Sequence, residues 1–256
     1  MEFKNDIAYG AIRFSHTNRN RFVEREMHTF HELLYCIAGN VSVYTDGFYR
    51  SVKKGTLLFI PRGCYHLFQI HGEEPFERLW IGFSDKDLPA GVLPVHWTRV
   101  RMIEMPGATV RFSLQTLCDA TDEGGTLAAT KAYGTLIALL CSLSTATEVP
   151  PVQSESSHRL IRACLSLIEE HLADKLSVAQ LAKELYVSPS TLSHLFKKEM
   201  GISLYRYITQ KRLVCACAQI ERGIPPTAVF AACGYADYSS FYRAYLKMFG
   251  HSPRMQ

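Results

Sequence analysis

The sequence predicts a multidomain α+β chain, with a β-barrel and two following helices in its N-terminal part and an all-α C-terminal domain. Three observations predict it. Short β-branched and aromatic runs punctuated by glycine extend from residue 1 to about 84, a helical period takes over from about 108, and beyond the Ser/Thr/Pro-rich segment 144–157 the pattern is helical throughout. The expected organisation is a domain at 1–143, a linker at 144–157 and a domain at 158–256.

In the first part, Leu33-Leu34-Tyr35-Cys36-Ile37 leads through Gly39 to Val41-Ser42-Val43-Tyr44, and Asp46-Gly47 then offers a hairpin turn. Thr56 to Ile60 gives another strand, ended by Pro61-Arg62-Gly63, and Phe76 to Phe83 a further one. Many short strands at such spacing indicate a sandwich or small barrel. Val110, Leu114 and Leu117 mark a helix, Gly124-Gly125 a turn, and Leu127, Ala132, Leu136, Leu139 and Leu140 a second helix. Leu136, Leu139, Leu140 and Leu143 form an apolar stripe; one part is expected to cover the barrel and another to remain exposed as a homodimer interface.

Charge divides the same way. Residues 1–157 hold 15 Lys/Arg against 17 Asp/Glu, a net −2, whereas residues 158–256 hold 13 against 7, a net +6. That asymmetry is expected where one domain meets a polyanion. The charged start MEFKNDIAYG and the shortness of the longest apolar run, Leu136 to Cys141, predict a cytoplasmic protein without a membrane segment. The eight cysteines lack a CxxC pair, which fits reduced thiols, and no Ser/His/Asp order, phosphate loop or HExxH appears, so no catalytic residues and no enzymatic activity are expected.

The C-terminal domain opens with a helix from His158 to Leu172, followed by a short one capped by Ser177. Ser188-Pro189 then reads as an N-cap with proline at the first helical position, where its missing N–H costs nothing. Leu192, Leu195, Phe196 and Met200 form the buried side of that helix, and Gly201 stops it. Ser190, Thr191, Ser193, His194, Lys197 and Lys198 form the other side, short polar residues first and lysines last, as suits a recognition helix whose start reaches base edges while its cations meet phosphates. The pattern repeats 49 residues on: Ser188 falls on Asp237, Leu192 on Phe241, Phe196 on Tyr245, Lys198 on Lys247 and Gly201 on Gly250. The second copy exposes Tyr238, Ser239, Tyr242, Arg243 and Lys247, and a helix from about Leu204 to Ile220 joins the two.

The segments LSVAQLAKELYVSPSTLSHLFKKEMGISLYRYI, KRLVCACAQI and CGYADYSSFYRAYLKMFGHSP strongly resemble the DNA-binding domain of AraC/XylS-type transcription regulators, over roughly residues 158–256. The resemblance implies two helix-turn-helix units that place Pro189 to Lys198 and Tyr238 to Lys247 in successive major-groove segments on one face of promoter DNA. It further implies a sequence-specific regulator, an activator in the present reading, that pairs as a homodimer and works with RNA polymerase. The second unit departs from the family pattern at Ile224-Pro225-Pro226 and at bulky Phe230.

Two N-terminal patterns resemble cupin motifs, and imply a double-stranded β-helix (cupin-like) barrel. Glu32 lies four residues after His28 and seven before Gly39, and Gly55-x5-Pro61-x-Gly63-x2-His66 follows the second motif. In metal-binding cupins such positions supply ligands. Ile70 and Glu26 depart from those motifs, so neither a metal nor another cofactor is expected. The expected occupant is a small organic effector, a sugar or related metabolite, contacted by His28, Glu32, Tyr35, Tyr44, His66 and Trp80. A metal-dependent cupin enzyme fused to a DNA-binding domain is the alternative. A constitutive DNA-binding protein without effector is a third reading.

Overall fold

The computed structural model describes residues 3–19, 25–45, 48–93, 97–104, 106–143 and 156–254. The Asp46-Gly47 turn and nearly all of the 144–157 linker lie outside the described residues. The chain forms two compact units, whose described residues are chiefly 3–143 for the first and 156–254 for the second.

The first unit contains strands β1 (Phe3–Tyr9), β2 (Ile12–Arg19), β3 (Arg25–Glu26), β4 (His31–Ala38), β5 (Asn40–Thr45), β6 (Phe48–Val52), β7 (Leu57–Ile60), β8 (His66–His71), β9 (Phe76–Phe83) and β10 (Arg101–Ile103). They make a six-stranded sheet in the order β1-β2-β9-β4-β7-β10 and a four-stranded sheet in the order β3-β8-β5-β6. The β-rich domain with two following helices is borne out. Helices α1 (Ala108–Glu123) and α2 (Gly125–Leu143) follow.

Strand alternation assigns each residue to one of two faces. Along β4 and β9, Leu33, Leu79, Ile81 and Phe83 join Leu114, Leu117, Leu136, Leu139 and Leu140 in one core between the six-stranded sheet and α1 and α2. The sequence expectation for the leucine stripe therefore needs correction: Leu136, Leu139, Leu140 and Leu143 are all buried within their own domain. None is left for an interface, because the broad sheet face takes the whole stripe. The exposed large apolar residues on these helices are instead Phe112, 75% exposed, and Leu127, 81% exposed. By length and composition α2 could cross a membrane, yet this leucine side is buried in the sheet core. His16 reinforces the seam: its ring nitrogens face Asp122 at 2.9 Å and Glu77 at 3.1 Å, tying β2 to the end of α1 and to β9.

The second unit contains α3 (Ser156–Glu170), α4 (Val178–Glu184), α5 (Pro189–Met200), α6 (Leu204–Glu221), α7 (Pro226–Ala232) and α8 (Tyr238–Phe249). The centre of this domain is α6, an 18-residue helix. Its first turns bury Leu204, Tyr207 and Ile208, with Tyr207 edge-on to Phe196 of α5. Later turns bury Leu213, Ala216, Cys217 and Ile220 with Val229, Phe241 and Tyr245 of α7 and α8. A helix apolar on opposite sides along its length is what two small units need when neither can bury its own core alone. Burial pushes the Cys36, Cys118 and Cys164 thiols up to about 12, so these cysteines serve as small apolar side chains.

Candidate nucleic-acid interface and ligand sites

In the first helix-turn-helix unit α3 and α4 pack on α5. Ser188 caps α5 by accepting a hydrogen bond from the Thr191 N–H at 3.0 Å, and Gly201 ends it in the left-handed region at φ 69°. Between those fixed ends Leu192, Phe196 and Met200 are buried, while Ser190, Thr191, Ser193, His194, Lys197 and Lys198 are all exposed. The exposed side thus runs from hydroxyls and an imidazole at the N-terminal turn to two ammonium groups at the C-terminal turn.

The second unit repeats this construction. Asp237 caps α8 by accepting from the Ser240 N–H at 2.7 Å, and Gly250 takes φ 74°. Ser239, Tyr242, Arg243 and Lys247 are exposed. Tyr238 is held half-buried, its ring 5.8 Å from those of Phe230 and Phe241, so its packing role is larger than the sequence suggested. Pro225 and Pro226 do not disturb the unit. Pro226 is the first residue of α7, Pro225 caps it, and the Ala228 N–H donates to the Pro225 carbonyl at 2.9 Å. Phe230 is accommodated half-buried against the core of this unit, with its ring edge-on to Tyr238 at 5.8 Å. Arg212 of α6 fixes the first unit to this frame, donating to the carbonyls of Leu172 at 2.9 Å and Asp174 at 2.6 Å. Its guanidinium also fills the space over Gly234, where a Cβ would meet it at 2.7 Å.

In the N-terminal domain the structure brings His28, Glu32 and His66 together. Glu32 is 2% and His66 1% exposed. The Glu32 Oε2 lies 3.0 Å from His28 Nε2 and 3.3 Å from His66 Nε2. Burial alone would raise the Glu32 carboxyl, but charge and hydrogen bonds from His66 and His28 hold it well below the usual carboxylate range. His31 points the other way, its Nε2 facing Asp85 at 3.0 Å.

Trp80 lines a separate groove of 660 Å³, with Phe30 and Arg78 beside it and Lys4, Asp6, Arg13, Ser15, Thr17 and Arg19 from β1 and β2 along it. The volume lies within the range of small-molecule pockets, about 300–1,000 Å³. Phe30 connects the groove to the triad: it stacks on His28 at 4.0 Å and meets Trp80 edge-on at 5.9 Å. Two expected effector contacts are corrected. Tyr35 packs against the core under α1 and α2, and Tyr44 lies against Tyr49, rings tilted at 45° and 4.4 Å apart, on the face of β5 opposite the one that carries Thr45 beside Cys64. Each sits on the face of its strand opposite its neighbour in the alternation, whose phase is set by strand pairing.

Two family models match the chain: an AraC-like ligand binding domain over residues 9–99 and a helix-turn-helix domain over residues 181–255. The transcriptional regulator LumQ of Photobacterium leiognathi is 40% identical over 87 residues, which are 34% of this chain and 35% of LumQ. The helix-turn-helix regulator YobQ of Bacillus subtilis strain 168 is 27% identical over 241 residues, 92% of this chain and 89% of YobQ. The transcriptional activator RhaS of Escherichia coli strain SMS-3-5 is 23% identical over 240 residues, covering 89% and 84%. The chain belongs to the AraC family of transcription regulators.

As an AraC-family member it combines a ligand-binding β-domain with a DNA-binding helical domain. Several features of this AraC-family chain escaped sequence reasoning. The cations Lys4, Arg13 and Arg19 of the groove were missed because β1 and β2 carry no motif, and Arg78 because nothing in β9 marks it beside Trp80. Tyr186, in the turn between α4 and α5, is 96% exposed and has φ 56°. A non-glycine residue held there costs roughly 1 kcal/mol, and its exposed ring stands beside the start of α5. The signal was present in Tyr186-Val187-Ser188-Pro189, where only a turn fits between two helices.

Proposed function

We propose that this chain is a promoter-binding activator in which the exposed sides of α5 and α8 read DNA, controlled by a small metabolite held in the N-terminal groove. The single observation that carries the reading is the duplicated capped helix: two helices of 12 residues each, each with an oxygen-bearing N-cap, a left-handed glycine stop and an exposed polar-to-basic side. In this reading His194 and Arg243 touch base edges, helped by Ser190, Thr191, Ser193, Ser239 and Tyr242, while Lys197, Lys198 and Lys247 meet phosphates. Activation is supported by the similarity to RhaS, named as an activator. It entails contact with RNA polymerase in the cytoplasm, and the protein acts by binding rather than by catalysis.

The effector in this reading is a sugar or related metabolite that stacks on Trp80 and takes hydrogen bonds from Arg13 and Arg78. His194→Ala and Arg243→Ala each lose about 1–3 kcal/mol of discrimination between the preferred site and random DNA, whereas Lys198→Ala weakens binding to both alike. Competition binding with both DNAs checks this. Equal losses on both for all three variants would mean that the base-reading and phosphate-binding roles are wrongly assigned.

A homodimer completes the proposal, formed through the exposed sides of α1 and α2 that carry Phe112 and Leu127. Light scattering at micromolar concentration is expected to give twice the chain mass of 28.9 kDa, and a mass of one chain that stays constant on adding DNA would rule pairing out.

A further inference from the structure

We propose that the groove beside Trp80 takes an acidic monosaccharide, a hexuronate, with its carboxylate between Lys4, Thr17 and Arg78 and its ring over Trp80. The inference rests on the reading that this groove holds the effector, and it names the charge and class of that effector.

The groove lies on one face of the six-stranded sheet. Ile7, Phe14, Leu79 and Ile81 alternate with lining residues along β1, β2 and β9 and pack in the core with α1 and α2, so the polar lining faces away from those helices. Strand register then sorts the lining into rows. Lys4 pairs with Thr17 and Thr17 with Arg78, Asp6 pairs with Ser15 and Ser15 with Trp80, and Ala8 pairs with Arg13 and Arg13 with Gly82. The Cβ atoms of cross-strand partners stand roughly 4.5–5.5 Å apart, and rows on one face recur every second residue, roughly 6.5–7 Å.

The first row suits an anion, because it sets an ammonium, a hydroxyl and a guanidinium side by side. Arg78 is 7% exposed and its guanidinium lies over the Phe76 ring at 5.6 Å, so this charge is held in place. Thr17 is 2% exposed, and among the described residues its hydroxyl has no hydrogen-bond partner. A buried hydroxyl without a partner is costly, and a ligand oxygen in this row would satisfy it. Arg13 and Arg19 extend the positive charge, so the described lining holds four cations against one carboxylate, Asp6. A neutral sugar makes no use of that excess, whereas a carboxylate takes charge-assisted hydrogen bonds from it.

The second row suits a sugar ring. Trp80 presents an apolar face for the C–H side of a pyranose. Gly82 leaves room for the indole, since a Cβ there would meet the Trp80 ring at 2.6 Å. Asp6 and Ser15 offer an acceptor and a hydroxyl to the ring hydroxyls. Burial would raise the Asp6 carboxyl, but hydrogen bonds from Lys4 and Ser15 lower it, so it stays an acceptor. Lys4 Nζ lies 2.8 Å from Asp6 Oδ2 and joins the two rows. The spacing of the rows is close to the length of a pyranose bearing a carboxylate, so one molecule reaches both.

The test is isothermal titration calorimetry of the full chain with galacturonate and glucuronate, each beside its neutral parent, galactose or glucose, at matched ionic strength. One hexuronate is expected to saturate at one per chain, at least about ten-fold tighter than its parent. Lys4→Gln and Thr17→Val are each expected to weaken that binding at least about three-fold. Thr17→Val also removes the unsatisfied hydroxyl, so its melting temperature without sugar should hold or rise, which a packing role would not give. Lys4→Gln changes a half-exposed side chain, and circular dichroism establishes that it is folded even should Thr17→Val not be. A neutral hexose that binds as tightly as its hexuronate would overturn the acidic assignment, and loss of that binding in Trp80→Leu would keep the groove as the effector site. Hexuronate binding left unchanged by all three substitutions would place the ligand elsewhere and overturn both readings. Saturation by neither hexuronate would overturn the proposal.

Discussion

Raising salt from about 50 to 200 mM is expected to lower the affinity of the full chain for duplex DNA by on the order of 10³-fold, the loss that follows from about six phosphate contacts. The exposed cations of α5 and α8 supply those contacts. Lys197 and Lys198 are exposed at the end of α5, and Arg243 and Lys247 on α8. They belong to a half of the chain with 13 Lys/Arg against 7 Asp/Glu, which leaves further basic neighbours to complete the count. Each phosphate neutralised releases condensed counterions, so the logarithm of affinity falls linearly with the logarithm of salt. Fluorescence anisotropy across a salt series measures the slope, and Lys198→Ala should flatten it by about 0.9. Affinity constant to within tenfold over that range would contradict an interface built on these residues.

The second large effect is on stability. Phe241→Ala is expected to destabilise the C-terminal domain by about 3–5 kcal/mol, the usual cost of emptying a packed phenylalanine site. Phe241 is fully buried, and its ring centroid lies 5.4 Å from Tyr235, 5.8 Å from Tyr238 and 5.6 Å from Tyr245. The same cluster joins α6, α7 and α8, so the cavity would loosen every contact that orients α8. Urea unfolding followed by helical circular dichroism checks the size, and a loss below about 1 kcal/mol would show that the surrounding rings close over the gap.

The C-terminal domain was legible because its instructions are local. Ser188-Pro189, Asp237, Gly201 and Gly250 specify helix ends within four residues of the ends themselves, and all four do so in the structure. Pro225-Pro226 was read as a departure, yet it obeys the same local rule, proline at a helix start.

The barrel was less legible, since the inward face of a strand depends on partners far away in sequence. Glu32 and His66 are brought together by pairing of β4 with β7 and β9, and of β8 with β3 and β5. The motif spacing identified them as neighbours. Tyr35 and Tyr44 carried no such spacing, and chemical type alone placed them on the wrong face. The leucine stripe of α2 illustrates a different gap: periodicity says that one side of a helix is covered, and the extent of cover is set by the sheet it meets.

The central claim is that two similar helices read DNA together, and selection of bound sequences from a randomised duplex pool by the full chain tests it most directly. Two recognition helices on one face of the duplex should enrich a site with two conserved blocks centred about 10–10.5 base pairs apart, or a multiple of that spacing if chains pair. Arg243→Ala should erase the preference within one block and leave the other. A pool that shows no enriched sequence after repeated selection, with binding still present, would contradict the account.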